Sequence, residues 1–317
     1  MIDLNKSFIN HNVVFLSGLT RSGKTLLCPL VSSFVNSEKI NLEPNFENLL
    51  ELKQINCLED NTLIYLLRSQ LNLLIYNDAI GRNTNFRPND YSSVWNYVEP
   101  FKYLKRLTDN DDDDVYSNII NSNRLFPLMV HDGLWHSKYI FKAFTDSKII
   151  HMQRHPVDLT YSWLSKGLGG PFYKNLRSHI VTYDFKDKFL PYFINGWEEK
   201  YLSLNEVDRV INMINHLINC NSEAYGKLSE KNKNRVLFLN HQALATEPLV
   251  VLENVENFLN SKMSIHTAKI LEQENCPRIF EATDRIEKLN QIQSKCSNKG
   301  RKILDKMIND YNNDSKI

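Results

Sequence analysis

Val13-Val14-Phe15-Leu16-Ser17-Gly18-Leu19-Thr20-Arg21-Ser22-Gly23-Lys24-Thr25-Leu26 decides how this chain is read. The apolar run Val13 to Leu16, β-branched at its start, predicts a short buried strand. Gly18-x4-Gly23-Lys24-Thr25 follows at once, and apolar residues at helical spacing run from Leu26 to Val35. Strand, glycine-bearing loop and helix in that order satisfy the phosphate-loop pattern in the context it requires. Glycines let successive backbone N–H groups turn inward as an anion nest, and the next helix adds its positive end. Lys24 and Arg21 add full charges, and Thr25 or Ser22 adds a hydroxyl. The loop alone does not select the phosphate compound. A kinase or nucleotide hydrolase would set Lys24 on the terminal phosphates and Thr25 on Mg²⁺, and would want a strand ending in Asp. Leu128-Met129-Val130-His131-Asp132 is the one fair candidate for that strand.

Outward from the loop, Lys39 to Leu42 predicts a second short strand ended by Glu43-Pro44. A helical pattern covers Phe46 to Ile80, a polar loop 81–93, and a weak helix Val94 to Leu107. Asp109 to Asp114 reads as a solvated acidic tip; it lacks the turn glycine of a cation-binding loop. Further strands are expected at Leu128–Val130, Lys148–Met152 and Arg235–Leu239. Further helices are expected at 136–145, from Pro156, at 205–228, 249–259 and 264–272, and at the end of a polar tail after Cys276. Strands alternating with helices predict an α/β fold, three layers α/β/α around a mostly parallel central sheet. One domain is expected over 1–317. Segments 1–12 and 303–317 would be peripheral, with 81–125 and 165–195 as surface or acceptor-side insertions.

Lys+Arg is 38 and Asp+Glu 37, a net charge of +1, which argues against a nucleic-acid partner or an anionic membrane surface. Apolar residues at 42% are enough for a sizeable core. Five scattered cysteines form neither a disulfide framework nor a zinc pattern. No apolar stretch is long enough to span a bilayer, and the first residues lack the basic and apolar regions of a signal peptide. A cytoplasmic location is the resulting expectation. A homo-oligomer is compatible with the sequence.

The second informative stretch is Ile149 to Trp163. Arg154 stands where a strand should end, and Ser162 lies eight residues on, two turns into the following helix. Together they offer a second anion a bidentate charge-assisted contact plus a hydroxyl. Here the chain resembles the sulfotransferases that use 3′-phosphoadenosine-5′-phosphosulfate (PAPS). Arg154-x-Pro156-x-Asp158-x-x-x-Ser162 is similar to the family's 3′-phosphate motif, and Arg21, Ser22, Gly23 and Thr25 match its 5′-phosphosulfate loop. Thr20 and Lys24 depart from the loop's form in the membrane enzymes. Leu42-Glu43-Pro44-Asn45-Phe46 resembles a segment of the heparan-type enzymes, and Val236 to Leu259 is a partial match to a later one, with His241 and Gln242 replacing the usual pair.

The resemblance implies that Thr20 to Leu26 hold the 5′-phosphosulfate and that Arg154 and Ser162 hold the 3′-phosphate. Lys299, Gly300 and Arg301 would cover the latter. It implies sulfuryl transfer to a hydroxyl of a carbohydrate, protein or small molecule, with Arg21 or Lys24 as the main cation and no metal required. An alcohol acceptor wants a general base. Glu43 resembles the base of the heparan-type enzymes, and His131 lies close to where the cytosolic enzymes carry a His. Glu43 is preferred because Pro44 and Phe46 match beside it. His136, Asp132 and Lys138 are lesser acceptor contacts, Tyr161 and Trp163 are core, and 165–195 is a candidate lid. The alternatives are a kinase or nucleotide hydrolase using ATP or GTP with Mg²⁺, and a nucleotide sensor without catalysis.

Overall fold

The computed structural model describes residues 12–108, 113–170 and 179–314. Strand β1 (Asn12–Ser17) leads into α1 (Lys24–Ser32), and β2 (Asn41–Leu42) into α2 (Pro44–Gln54) and α3 (Asp60–Ala79). Helices α4 (Pro100–Arg106) and α5 (Asp113–Asn121) precede β3 (Leu125–Met129), α6 (Ser137–Ala143), β4 (Lys148–Gln153) and α7 (Pro156–Ser165). A hairpin of β5 (Thr182–Phe185) and β6 (Lys188–Pro191) is followed by α8 (Glu198–Ser203), α9 (Glu206–Gly226) and α10 (Glu230–Lys233). The last strand, β7 (Val236–Asn240), precedes α11 (His241–Thr246), α12 (Pro248–Leu259), α13 (Thr267–Gln273), α14 (Ala282–Gln293) and α15 (Asn298–Asp314).

Five parallel strands form the central sheet in the order β2-β3-β1-β4-β7. β1 is buried on both faces, because its alternating side chains serve two cores. Val13 and Phe15 pack with α2, α3 and α6 on one face. Val14 and Leu16 pack with α1, α12 and α13 on the other. The expected three-layer α/β/α architecture is therefore present. A third cluster joins α7, α9, α15 and the hairpin segment. From β1 the chain goes to β2 and β3 on one side, then crosses to β4 and β7 on the other. That reversal opens a crevice at the carboxyl end of β1, where open α/β sheets bind ligands.

Several local expectations give way. The single helix over 46–80 breaks into α2 and α3, because Asn56 takes a left-handed conformation (φ 59°) and Cys57 N bonds back to Leu52 O. The strand expected over Lys39–Leu42 pairs only at Asn41–Leu42. Lys39 is instead drawn into a buried ion pair with Asp78 at 3.1 Å. Beside it Glu38 receives Arg106 and Arg124, each at 2.8 Å, and the Tyr103 hydroxyl at 2.5 Å. Burial opposes ionisation of Glu38, but the Arg106 charge holds its carboxyl well below the usual range. This network ties the segment after residue 81 to the amino end of the sheet. The helix expected over 94–107 is one 3₁₀ turn, Val94–Asn96, and then α4, which starts afresh at Pro100. The irregular stretch 165–195 contains the β5–β6 hairpin, with Lys186 and Asp187 both at positive φ in its turn. Of the acidic tip expected over 109–114, residues 113–114 begin α5; residues 109–112, the stretch 171–178, residues 1–11 and residues 315–317 lie outside the described residues.

The segment 303–317 is not peripheral where it is described. Leu304 and Met307 of α15 are buried against α9 and α7, and the Tyr311 ring meets His155 at 5.1 Å. Leu304→Ala should cost about 2–5 kcal/mol in denaturant unfolding. Lys306→Ala, on the exposed face of the same turn, should change stability by less than about 0.5 kcal/mol.

Candidate active site

The loop after β1 is built by conformations that only certain residues accept cheaply. Gly18 (φ 146°) and Gly23 (φ 105°) are both left-handed, and a Cβ on Gly23 would fall inside the His241 ring. Arg21 also has positive φ, 68°. Its carbonyl accepts from Arg154 Nη1 at 2.7 Å, and the Thr20 carbonyl accepts from Trp163 Nε1 at 2.7 Å. Lys24 is buried beneath the loop and donates to Gly18 O at 2.5 Å and Leu19 O at 3.0 Å. An ammonium has three protons, so one stays available. Burial lowers the Lys24 pKa to about 8, against the opposing charges of Glu47 and Asp132.

The two motifs of the sequence meet here. Arg21 Nε donates to Ser162 Oγ at 3.0 Å, and Arg154 arrives from the end of β4. Arg154 Nε and Ser22 Oγ are buried and have no hydrogen-bond partner among the described residues. Burial first, and then the nearby charges of Arg21, Arg285 and Arg278, depress the Arg154 pKa. Arg285 of α14 donates to Asp158 Oδ2 at 2.8 Å and to Gln242 Oε1 at 2.8 Å. Burial opposes it, yet that guanidinium keeps the Asp158 carboxyl below its ordinary value. His155 and His241 are both pushed down to about 4, chiefly by burial and then by these cations, and so are neutral at pH 7. Arg21, Arg154 and Arg285 thus gather near Asp158, which Lys288 also contacts at 3.4 Å, while Arg278 acts on Arg154 and pairs with Glu274. That is a cradle for a polyanion.

Not every expected residue joins it. Leu26 is core: its side chain packs among Val14 and Leu252, and its N–H is spent on Gly23 O. Thr25 is exposed, and its carbonyl accepts from Tyr91. Lys299, Gly300 and Arg301 form the first turn of α15. Gly300 packs against the Asp208 carboxylate, Arg301 donates to Gln293 O, and no described bond from this turn reaches Arg21, Arg154 or Ser162. The glycine there serves a close helix contact. Arg285 and Arg278 stand in the cradle instead, and nothing in their sequence neighbourhood marks them.

Across the loop lies a cavity of about 460 Å³, walled by Thr20, Trp163, Tyr192 and Phe193 and by the carboxylates Glu43, Glu47, Glu51 and Asp132. Glu43 and His131, the two expected bases, both line it. Glu43 caps α2, its Oε1 accepting from Asn45 N at 3.3 Å. His131 is held by Glu47: its backbone N–H donates to Oε1 at 3.1 Å, and its Nδ1 lies 2.9 Å from Oε2. With the carboxylate on Nδ1, Nε2 is the nitrogen left to accept a proton. Glu47 escaped the sequence reading, although Glu43-x3-Glu47-x3-Glu51 marks one helix face. Trp163, expected in the core, is both buried and a cavity wall. His136 is a core imidazole stacked on Trp135, lowered to about 3 by burial, and Lys138 lies over Tyr139; neither lines the cavity. Tyr161 sits under Lys288.

Among the described residues, no group of three or more His, Cys, Asp or Glu side chains is placed to hold a metal, and no helix is long and apolar enough to cross a membrane.

No protein-family model and no curated protein matches the chain. Solved structures similar to it include three sulfotransferases. One is the sulfotransferase domain of the Synechococcus PCC 7002 olefin synthase, at 15% identity and TM-score 0.43, over 86% of this chain and 79% of that one. A Mycobacterium tuberculosis H37Rv sulfotransferase has 11% identity and TM-score 0.43, over 90% and 76%. An Alicyclobacillus acidocaldarius sulfotransferase has 14% identity and TM-score 0.40, over 94% and 96%.

Glu51 provides a test of the cavity's electrostatics. Its Oε2 accepts from Val181 N at 2.7 Å, and burial, with Glu47 and Asp132 nearby, raises its pKa to about 8. A carboxyl whose folded pKa exceeds its unfolded value binds more protons folded, so its contribution to stability declines as pH rises from about 4.5 to about 8. Glu51→Gln keeps the acceptor for Val181. Its advantage over the parent in urea unfolding should grow across that window, to the order of a few kcal/mol, and vanish below about pH 4.

Proposed function

We propose that the chain transfers a sulfuryl group from PAPS to a hydroxyl acceptor. The observation that carries this reading is the meeting of Arg154, Ser162 and Arg21 beside the phosphate loop, with Arg154 Nε left unpartnered in a buried cationic setting. Two anion sites stand there, one in the loop and one at Arg154. A nucleotide phosphorylated at both 5′ and 3′ ends needs two, whereas ATP needs only a contiguous cradle.

The residues fit such a nucleotide. Ser22 Oγ has a proton to offer in the loop, and the space above Gly23 is closed by the neutral His241 ring. The loop N–H groups, Arg21 and Lys24 would take the 5′ end; Arg154 and Ser162 would take the 3′-phosphate. The donor, when bound, supplies the activated sulfuryl group. The chain's own part is positioning and charge. Arg21 and the last Lys24 proton meet the negative charge that grows where the S–O bond to the 5′-phosphate breaks. That electron pair stays with the departing 3′-phosphoadenosine-5′-phosphate. His131 Nε2 takes the proton as the acceptor oxygen forms its bond to sulfur.

We take His131 rather than Glu43 as the base. Glu43 spends an oxygen on its own helix end, whereas Glu47 holds the His131 ring in one tautomer. A nearby cation pair then stands on the leaving side, and a neutral base on the attacking side. Lys166, Gly167, Leu168, Gly170, Tyr192 and Phe193 line the cavity, so the acceptor would bind against these residues.

Thermal-shift titration tests the donor. 3′-Phosphoadenosine-5′-phosphate without metal should stabilise the protein by about 2.7 kcal/mol at a hundredfold its Kd, with ADP far behind. Arg154→Met should bring the two ligands to within about threefold of each other, because the lost contact is to the 3′-phosphate. ATP with Mg²⁺ outperforming the bisphosphate would overturn the reading in favour of a kinase.

His131→Ala should lower kcat by roughly 10²–10⁴ while leaving bisphosphate affinity unchanged. Glu43→Gln should lower it by less than about tenfold. The reverse order would restore Glu43 as the base.

A further inference from the structure

The geometry points to an acceptor that carries a protonated amine as well as its hydroxyl, on a compact and partly apolar frame. This inference rests on the sulfuryl-transfer reading for the hydroxyl; the amine is argued from the cavity alone.

Two of the cavity's described walls are acidic. Glu43, Glu47 and Glu51 descend from α2, and Asp132 enters from the end of β3. The cationic groups on its wall do not balance them. Lys166 and His179 are exposed at the rim, and His131 is already engaged by Glu47. Lys24 acts on Asp132 and Glu47 through its charge but does not line the cavity, and two of its protons go to loop carbonyls.

Asp132 is the sharpest case. It is 6% exposed; its Oδ2 accepts from the Tyr192 hydroxyl at 2.8 Å, while Oδ1 has no partner among the described residues. A buried carboxylate oxygen without a donor is costly, and a charged donor compensates it best. Burial raises the pKa of both Asp132 and Glu51; the charges of His131 and Lys24 oppose the rise at Asp132 without cancelling it. Tyr192, Trp163 and Phe193 supply ring faces, which receive an ammonium and the apolar part of a guest together. A volume near 460 Å³ suits a small molecule. Among the described residues, an anionic acceptor would meet the carboxyl groups of Glu43, Glu47, Glu51 and Asp132 on the wall, with Lys166 and His179 only at the rim.

Three phenols of one frame separate charge from shape: tyramine, 4-hydroxyphenethyl alcohol and 4-hydroxyphenylacetate. Their Kd values for the full chain, read by calorimetry at pH 7 with 3′-phosphoadenosine-5′-phosphate present and absent, decide the matter. Tyramine should bind at least about tenfold more tightly than the alcohol, and the acid most weakly, as a charge-assisted contact implies. Asp132→Asn should bring the amine-to-alcohol ratio to within about threefold. Should that variant fail to fold, Glu47→Gln, which alters another carboxyl group of the same cavity wall, should reduce the same ratio by at least about threefold. Equal or tighter binding of the alcohol or acid, no binding of the amine, or a ratio that survives the variants overturns the inference. Binding of the amine without sulfuryl transfer upholds the cavity's preference and overturns the reaction. Transfer to the acid as readily as to tyramine does the opposite.

Discussion

Two hydrogen bonds to carbonyls of the phosphate loop, from Arg154 to Arg21 O and from Trp163 to Thr20 O, set the geometry on which the site depends. Their donors sit at the end of β4 and in α7, and β4 lies beside β1 in the sheet. Strand order therefore decides that the loop is clamped by the very segment that carries the second anion motif. With the loop held, Arg21 turns to Ser162, Thr20 becomes a cavity wall, and His241 closes over Gly23. Without the clamp, a loop with three left-handed residues would have many conformations of similar energy.

The clamp also separates charge. On the β4 and β7 side, Arg21, Arg278 and Arg285 act on Arg154, with Asp158 and Glu274 as nearby counter-ions. On the β3 side, carboxylates line the cavity. Two like charges about 4 Å apart near a protein surface repel by roughly 4 kcal/mol before screening, so neither cluster is comfortable alone. Lys24, beneath the loop, feels Glu47 and Asp132 from the acidic side while presenting its remaining proton to the anion side. The loop is thus the boundary between a place for a polyanion and a place for a neutral or cationic partner. Chemistry that moves a charged group from one to the other would occur at that boundary.

What was legible in the sequence was local. Val13 to Leu26 encodes strand, loop and helix within one short run, and Arg154 to Ser162 encodes a strand end and a helix turn. Both needed only neighbours in the chain. Glu47 was legible in principle, since it lies one helical turn from Glu43, but its role depends on His131, 84 residues away. Arg285 reaches Asp158 across 127 residues and carries no pattern of its own. Lys299-Gly300-Arg301 shows the opposite failure. The string suits an anion, but its glycine is there because Asp208 approaches α15 closely. The break at Asn56 was likewise invisible to periodicity, because apolar spacing continues across it while one left-handed residue ends the helix.

Burial of charge occurs in two forms in this chain, and the contrast between them distinguishes scaffold from site. Glu38 is deeply buried, yet Arg106, Arg124 and Tyr103 complete its hydrogen bonds and keep it ionised. It is a satisfied structural network, far from the loop. Around the loop the pattern reverses. Lys24, Glu51, Asp132 and Arg154 are all pushed toward their neutral forms by burial, and Asp132 and Arg154 each keep a polar atom without a partner among the described residues. Such groups lower stability, and an apolar or amide side chain of similar size would relieve the cost. A fold that needed them only for packing would gain by losing them. Their concentration on the two sides of one clamped loop is accounted for if ligands complete them: an anion at Arg154 and Lys24, and a cation at Asp132 and Glu51.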